Sequence, residues 1–572
     1  MFVFFIFLGA IVGSAESSSN VKTLTESSVL HLKLNYNLGD KSTLNPFESI
    51  GSGKFSTHPK PGLFDLVRSI QHASTNDKIS GIFLDISSVN MGMATAEELR
   101  AALAEFRSTG KFVYTYSDVL TQKSLYLASA GDKIFMNPAG DIEFKGLSST
   151  FVSFKGLLDK LGVEAEVFRP EGNKFKSAVE PFLVEKMSPE NRAQTFMFLQ
   201  TIWDEMLADW SDSRGIEIAD LNRMADNLEV YNTMQAVSLG MADSLMYRDQ
   251  FIDLIKKESG FSSEDKLRLV SPGEYYDLYK HELVSARKKD HIAVVFAEGE
   301  IVYGPGDEQT ISDQNLGREL KKAREDETVK AVVLRVNSPG GSALASEILW
   351  REVELTKAKK PVIVSMGNYA ASGGYYIACG ADRIFADAQT LTGSIGVFGM
   401  LYNAEQFLNG KLGITTDTVK TNNYSDFFSF ARGMEDAEKN YLNRSVNDIY
   451  QLFLKRVADG RGMTIAEVDS IAQGRVWAGR DAKELKLVDE IGSMEDAIAF
   501  AASKVGLSDY GILTFPEKKD FWQSLLNEGK SETVESVMRK NLGEGYYILE
   551  GFRSLEQTKG VQARMPYNMV IQ

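Results

Sequence analysis

One stretch of this sequence is written twice. ISGIFLDISS, from Ile79, has a counterpart in VKAVVLRVNS, from Val329, and SLYLASAGDKIFMN, from Ser124, has one in GYYIACGADRIFAD, from Gly374. Tyr126 and Tyr376, Ala128 and Ala378, Asp132 and Asp382, Ile134 and Ile384, and Phe135 and Phe385 all coincide at one offset, 250 residues. The likeness then drifts slightly. KLGVEAEVF from Lys160 answers KLGITTDTV from Lys411, DSRGIEIADLNRMA from Asp212 answers ADGRGMTIAEVDSIA from Ala458, and AVSLGMADSL from Ala236 answers AKELKLVDEI from Ala482. A chain repeated this way folds as two related units. Its 572 residues demand the same, because single hydrophobic cores stop growing at about 250–300 residues.

The repeated segments also state what each unit is. Their short, apolar, β-branched runs have the pattern of buried parallel strands. Between them, AEELRAALAEF and SEILWREVELT carry apolar residues at three- and four-residue spacing, the pattern of helices. Strand alternating with helix predicts an α/β architecture with parallel sheets. The units join near residues 283–290, where HIAVVFAEGEIVYG, from His291, opens the second as SVLHLKLNYNLG opens the first. The expected division is a leader and polar linker over residues 1–24, a first repeat over 25–285, a second over 286–510 and a C-terminal extension over 511–572. The tail from Phe515 reads as peripheral and without chemistry.

The leader, MFVFFIFLGAIVGSAESSSN, is apolar and uncharged through Ala15. It reads as a signal segment or the end of a membrane anchor, and both readings send the rest of the chain out of the cytoplasm. The net charge of −15 argues against a nucleic-acid partner, which would need a basic face. One cysteine, Cys379, rules out an intramolecular disulfide and a multi-cysteine metal site, and core packing is its simplest use. Five histidines (His31, His58, His72, His281 and His291) leave little material for histidine-based chemistry.

Duplicated units diverge where function sits. RVNSPGGSA stands in the second unit where the first has DISSVNMGM, and its two glycines let a backbone approach a ligand closely. N–H groups freed in such a turn can stabilise an oxyanion. Next, PVIVSMGNYAASGGYYIACGADRIFA runs from a strand through Ala371, Ser372, Gly373 and Gly374 into an apolar helix. Ser372 there would sit exposed at the strand's C-terminal end, beside the Gly373 N–H. The first unit has Gln122 and Lys123 at this register.

A serine nucleophile needs a base, and no histidine falls in these segments. A lysine whose pKa is lowered by burial is the alternative. Lys176, in RPEGNKFKSAVEPF, has Phe175, Ala178, Val179 and Phe182 for company, whereas its counterpart segment KTNNYSDFFSF has no lysine after Lys420. Alone, Ser372 would read as a helix cap and Lys176 as a surface lysine. Together, each unit has lost what the other kept.

These residues resemble the signal peptide peptidase A proteases. SPGGS, the Ser-Gly-Gly segment and LTGSIGVFG carry the resemblance, KSAVEPF matches the long, internally duplicated form, and the likeness covers roughly residues 25–510. It implies the fold of the Clp protease and crotonase superfamily, two tandem repeats of β-β-α units with helical extensions. It implies a Ser–Lys dyad with Ser372 as nucleophile and Lys176 as general base, Ser394 orienting the lysine, and an oxyanion hole from Gly373 with Gly341 or Gly340. No metal or cofactor is implied. The substrates would be cleaved signal peptides and other hydrophobic peptides, met at the membrane on the periplasmic side, by a homo-oligomer that is a tetramer in the long form. The leader departs from that form in lacking a basic cytoplasmic segment.

Two other classes compete. A crotonase-like acyl-CoA enzyme shares the fold and the glycine-lined hole, but it typically uses a carboxylate base, and export would deprive it of CoA. A non-catalytic assembly scaffold would not need Ser372, Lys176 and Ser394 together.

Overall fold

The computed structural model describes residues 24–42, 60–285, 287–307, 309–517 and 561–565. The expected leader lies outside the described residues except for Leu24, which is buried in the first unit's core. Among those described, no helix is long and apolar enough to cross a membrane.

The duplication reappears as two parallel sheets of matching order. In the first unit the strands are β1 (Ser28–Leu32), β2 (Ile79–Asp85), β3 (Phe112–Leu120), β4 (Lys133–Ile142), β6 (Ser244–Leu245) and β7 (Leu269–Val270), arranged β6-β4-β3-β2-β1-β7. In the second they are β8 (His291–Glu298), β11 (Val329–Ser338), β13 (Val362–Ala371), β14 (Arg383–Ala386), β18 (Glu490–Ile491) and β19 (Gly511–Phe515). Their order, β18-β14-β13-β11-β8-β19, repeats the first. Ile79 pairs with Ser28 as Val329 pairs with His291, so the register is duplicated as well as the topology. Two further strands, β15 (Leu391–Gly393) and the antiparallel β17 (Val476–Ala478), extend β13 beyond β14.

Strands covered on both faces read as unbroken apolar runs. In β11, Val332, Val333, Leu334 and Val336 are fully buried, each contributing about 1.5–3 kcal/mol over exposure. Arg335, equally buried in their midst, is the exception and faces the seam between the units.

A third sheet crosses that seam. It contains β5 (Glu164–Phe168) from the first unit, then β9 (Glu300–Val302), β10 (Thr310–Ser312), β12 (Gly340–Ser342), β16 (Phe398–Asn403) and β20 (Val561–Arg564), in the order β10-β9-β12-β20-β16-β5. Here β5 runs antiparallel to β16, pairing Phe168 with Gly399. The helix Pro189–Arg214 of the first unit also reaches across, with Gln194 Oε1 accepting the Val476 N–H at 3.2 Å. The apolar core of the first unit includes Ala371, Leu391, Val476 and Ala478 of the second.

The segment expected as a C-terminal extension is thus partly built into the fold. Residues 511–515 are a strand of the main sheet, and residues 561–564 are a strand between β12 and β16. The reading of the tail as peripheral is corrected by that second strand. Cys379 is buried just beyond the helix Gly373–Ala378 and packs in the core.

Candidate active site

Ser372 follows the last residue of β13 and immediately precedes the helix Gly373–Ala378. Its φ of 56° and ψ of −115° lie where a side chain other than glycine is strained, and such strain persists only when the surroundings enforce it. They do: the Ser372 N–H donates to Gly393 O at 2.8 Å, and its carbonyl accepts the Tyr376 N–H. The hydroxyl does not cap the helix it precedes. It points to Lys176 instead, with Oγ 2.7 Å from Nζ.

Lys176 arrives from the other unit of the same chain. It stands before a single 3-10 turn, Ser177–Val179, in the loop after β5, and is completely buried. Its Nζ also lies 3.0 Å from both Ser394 O and Ser394 Oγ. No carboxylate is among these partners. Burial, with no charge to offset it, pushes the ammonium pKa well below the usual lysine value.

The loop is fixed from both sides. The Phe175 N–H donates to Gln473 O at 3.0 Å, and Gln194 Nε2 donates to Phe175 O and to Ser177 Oγ. Asn173 Nδ2 donates to Val397 O at 3.2 Å. Gly474, at φ 81°, lies so close that a Cβ built on it would fall 2.6–2.7 Å from Lys176 N, Cα and Cβ. Sequence reasoning passed over Gly474 and Gln194. The glycine sits in an unremarkable turn, and only its contact with a residue 298 positions away gives it meaning. Gly474→Ala should push Lys176 off its 2.7 Å contact and lower kcat by about 10²-fold. Steady-state kinetics beside an unchanged circular dichroism spectrum would check this.

Of the three predicted glycines, Gly340 and Gly373 are drawn together beside Ser372, and Gly341 follows in β12, paired with Ala563 and Ile301. Gly340 has φ 98° and Gly341 φ 155°, conformations that L side chains rarely adopt. A Cβ on Gly340 would fall 2.7 Å from Gly373 N and 2.2 Å from the carbonyl oxygen of Ala563 in β20. A Cβ on Gly373 would fall 3.1 Å from the same oxygen. Bare backbone is therefore required here. Of the two alternatives offered for the first oxyanion donor, Gly340 has its N–H engaged by Ser338 Oγ at 3.1 Å.

The equivalent place in the first unit is filled. Gln122 Oε1 accepts the N–H groups of Lys145 and Gly146, its Nε2 donates to Gly146 O, and Lys123 Nζ donates to Met91 O at 2.7 Å. The histidines lie elsewhere: His31 pairs with Asp85, His72 with Tyr275 and Glu282, His281 belongs to the helix Pro272–Leu283, and His291 begins β8. His58 is outside the described residues. A strained serine, a fully buried lysine amine in contact with it and close-packed glycine backbone are the elements of acyl transfer through a serine.

The sequence profile of peptidase family S49 matches residues 105–262 and 354–508, one segment in each unit. The chain belongs to that family and is a serine protease. It is 35% identical over 565 residues to Protease 4 of Haemophilus influenzae, an alignment covering 94% of this chain and 90% of that protein. It is 34% identical over 526 residues to Protease 4 of Salmonella typhi, covering 89% and 84%. It is also 32% identical over 500 residues to the chloroplastic serine protease SPPA of Arabidopsis thaliana, covering 86% and 72%. The resemblance to the signal peptide peptidase A proteases stands on these matches.

Proposed function

We propose that this serine protease works through a dyad, with Ser372 as nucleophile and Lys176 as general base. The observation that carries the reading is the fully buried Nζ, 2.7 Å from Ser372 Oγ and without a carboxylate partner. A neutral amine has two N–H donors and one lone pair. The Ser394 carbonyl accepts only, so one N–H goes there and the second goes to Ser394 Oγ, each at 3.0 Å. The lone pair is left facing the Ser372 hydroxyl. Ser394 is thus the positioning residue that aims the base.

In the forward step Ser372 Oγ attacks a peptide carbonyl carbon while Lys176 takes its proton. The N–H groups of Gly341 and Gly373 hold the oxyanion, each contributing about 3 kcal/mol. Lys176 then protonates the departing amine, and water releases the acyl group. We take the substrates to be cleaved signal peptides and other hydrophobic peptides. On this reading the protease works at the membrane, outside the cytoplasm, as a homo-oligomer whose size is four by family resemblance. Support for the substrate class comes from the resemblance of SPGGS, LTGSIGVFG and KSAVEPF to the signal peptide peptidase A proteases, and support for the membrane from the apolar first segment of the chain. The two domains we take to be residues 25–285 and, with the closing strand of its sheet included, 286–515, each contributing one dyad residue.

The test is hydrolysis of a panel of apolar, signal-segment peptides across pH, with products identified by mass spectrometry. Only unprotonated Lys176 can accept the serine proton, so kcat/KM rises with pH as the lysine deprotonates and then levels. Because burial lowers the lysine pKa, the midpoint of that rise falls well below the ordinary 10.5. A midpoint at the ordinary lysine value would remove Lys176 as the base. A panel in which only polar peptides are cut would remove the substrate class.

A further inference from the structure

In its first turns the helix Met93–Ser108 reaches from the first unit into the backing of the active site. Thr95 holds β13: its N–H donates to Asn368 Oδ1 at 3.0 Å, and its hydroxyl accepts from Asn368 Nδ2 at 2.8 Å. Glu97 holds the segment that runs into β15. One carboxylate oxygen accepts the Ala388 N–H at 3.2 Å and the other the Gln389 N–H at 3.1 Å.

The duplication shows what this carboxylate does in the other copy. Glu347 stands at the matching place in the second unit, 250 residues on. It accepts the Tyr376 hydroxyl at 2.7 Å and pairs with Arg456, whose Nε lies 3.2 Å from Oε2. Arg456 belongs to the helix Asp436–Arg461, and the helix Pro189–Arg214 repeats that element at the same length, 26 residues. At the place of Arg456 it carries Asp209, and Tyr126, the counterpart of Tyr376, donates its hydroxyl to Asp209. Glu97 therefore meets a second acid where Glu347 meets a cation, and its oxygens take backbone N–H groups of the opposite unit instead.

Those N–H groups lie on a short path to the dyad. Thr390 Oγ1 donates to Gly367 O at 2.8 Å, and Leu391, Thr392 and Gly393 pair with Tyr369, Ala370 and Ala371 of β13. Gly393 O accepts the Ser372 N–H at 2.8 Å, and Ser394 follows with its two contacts to Lys176 Nζ, each at 3.0 Å. We infer that Glu97 is a positioning residue, a role that rests on the dyad proposed above. Its ionised carboxylate holds the Ala388 and Gln389 N–H groups and so sets Gly393 and Ser394 in register with Ser372 and Lys176. Protonated, Glu97 turns one oxygen into a donor that faces a donor, and the segment loosens. Burial raises its pKa to about 7 against the pull of the Gln389 and Ala388 N–H groups, and Asp209 and Glu205 add repulsion. Tyr126 faces it as well, as does Asp387 in the loop after β14, which also faces Glu98 and Arg335. The cations of this region are drawn to other acids, with Arg100 3.7 Å from Asp209 and Arg480 2.7 Å from Glu205.

The test is kcat and KM on an apolar peptide that the wild type cuts, for wild type and Glu97→Gln, at pH 5.5 and pH 8. Glutamine keeps the shape and one acceptor oxygen, so it copies the protonated acid at every pH. The expected result at pH 8 is a kcat about tenfold below wild type with KM unchanged, and at pH 5.5 the two enzymes coincide. Circular dichroism at both pH values confirms the fold. Asp209→Asn removes repulsion from Glu97 without touching the path to the dyad, so it should outpace the wild type at about pH 6 and match it at pH 8. A loss of stability alone gives no such gain. A gap between wild type and Glu97→Gln that is equal at both pH values places Glu97 in packing and overturns the inference, as does no gap at either. An Asp209→Asn enzyme no faster than wild type at about pH 6 overturns it too. The rise with pH common to all three enzymes reports Lys176, so a failure of the dyad shows in that rise and a failure of Glu97 only in the gaps.

Discussion

Ser372→Ala and Lys176→Met each lower kcat/KM for peptide hydrolysis by about 10⁴-fold or more, while the chain still folds. The two effects do not add. Without the hydroxyl there is nothing for Lys176 to deprotonate, and without the amine the hydroxyl stays a weak nucleophile, so the double variant is about as slow as either single one. Methionine is the informative replacement because it keeps much of the buried stem of a side chain with no exposure. Lys176→Arg makes a sharper point. A guanidinium stays protonated and cannot accept the serine proton, so retained charge restores nothing. The measurement is initial rate against peptide concentration, with denaturant midpoints confirming that the variants are folded. A Lys176→Met enzyme within tenfold of wild type would mean that some other group takes the proton from Ser372.

What could be read from the sequence was whatever the duplication exposed. Strand order and register repeat because the buried runs repeat, and Ile79 and Val329 stand at matching places in their sheets. Ser372 and Lys176 stood out because Gln122 and a segment with no lysine after Lys420 replace them in the opposite units. The structure gives those replacements partners of their own, with Gln122 tied to Lys145 and Gly146 and Lys420 paired with Asp426. The rest was hidden for a physical reason: its meaning is supplied from far along the chain. VQAR has neither the length nor the alternation of a strand, and becomes one only between β12 and β16. Gly474 is a turn glycine until Lys176 is laid against it. Arg335 is a charge inside an apolar run, and nothing local says which carboxylates await it.

Those carboxylates make Arg335 the position where the two units are most sensitive to one substitution. Its Nε donates to Asp40 Oδ1 at 3.1 Å and its Nη1 to Ser365 Oγ at 2.8 Å. Its Nη2 lies 3.0 Å from Asp40 Oδ1 and 2.6 Å from Glu98 Oε1, near enough to pair charge though off the hydrogen-bond axis. Asp40 and Glu98 come from the first unit and Arg335 from the second. Burial opposes the guanidinium charge, but Asp40, Glu98 and Asp387 outweigh it and hold the pKa above the ordinary arginine value. The carboxyls around it outnumber the one cation. Burial, with Glu98 and Glu97 adding repulsion, pushes Asp387 well up, and burial raises Glu97 to about 7 and Glu298 to about 6. Arg335→Met keeps much of the volume and removes the cation, leaving buried carboxylates facing one another, a loss of about 3–5 kcal/mol at pH 8. The sign of its pH dependence follows from linkage. A carboxyl whose folded pKa is raised binds a proton that the unfolded chain does not, so its contribution is complete below the unfolded value, 4.5 for Glu298, and is lost as pH rises through about 6. Removing Arg335 raises the Asp387 and Glu298 pKa values further, because the cation no longer favours their charged forms. The gap in denaturant midpoint between Arg335→Met and wild type is therefore wide at pH 8 and narrows at pH 5.5, where protons stand in for the missing charge. A gap equal at the two pH values would place the penalty in packing rather than in unpaired charge.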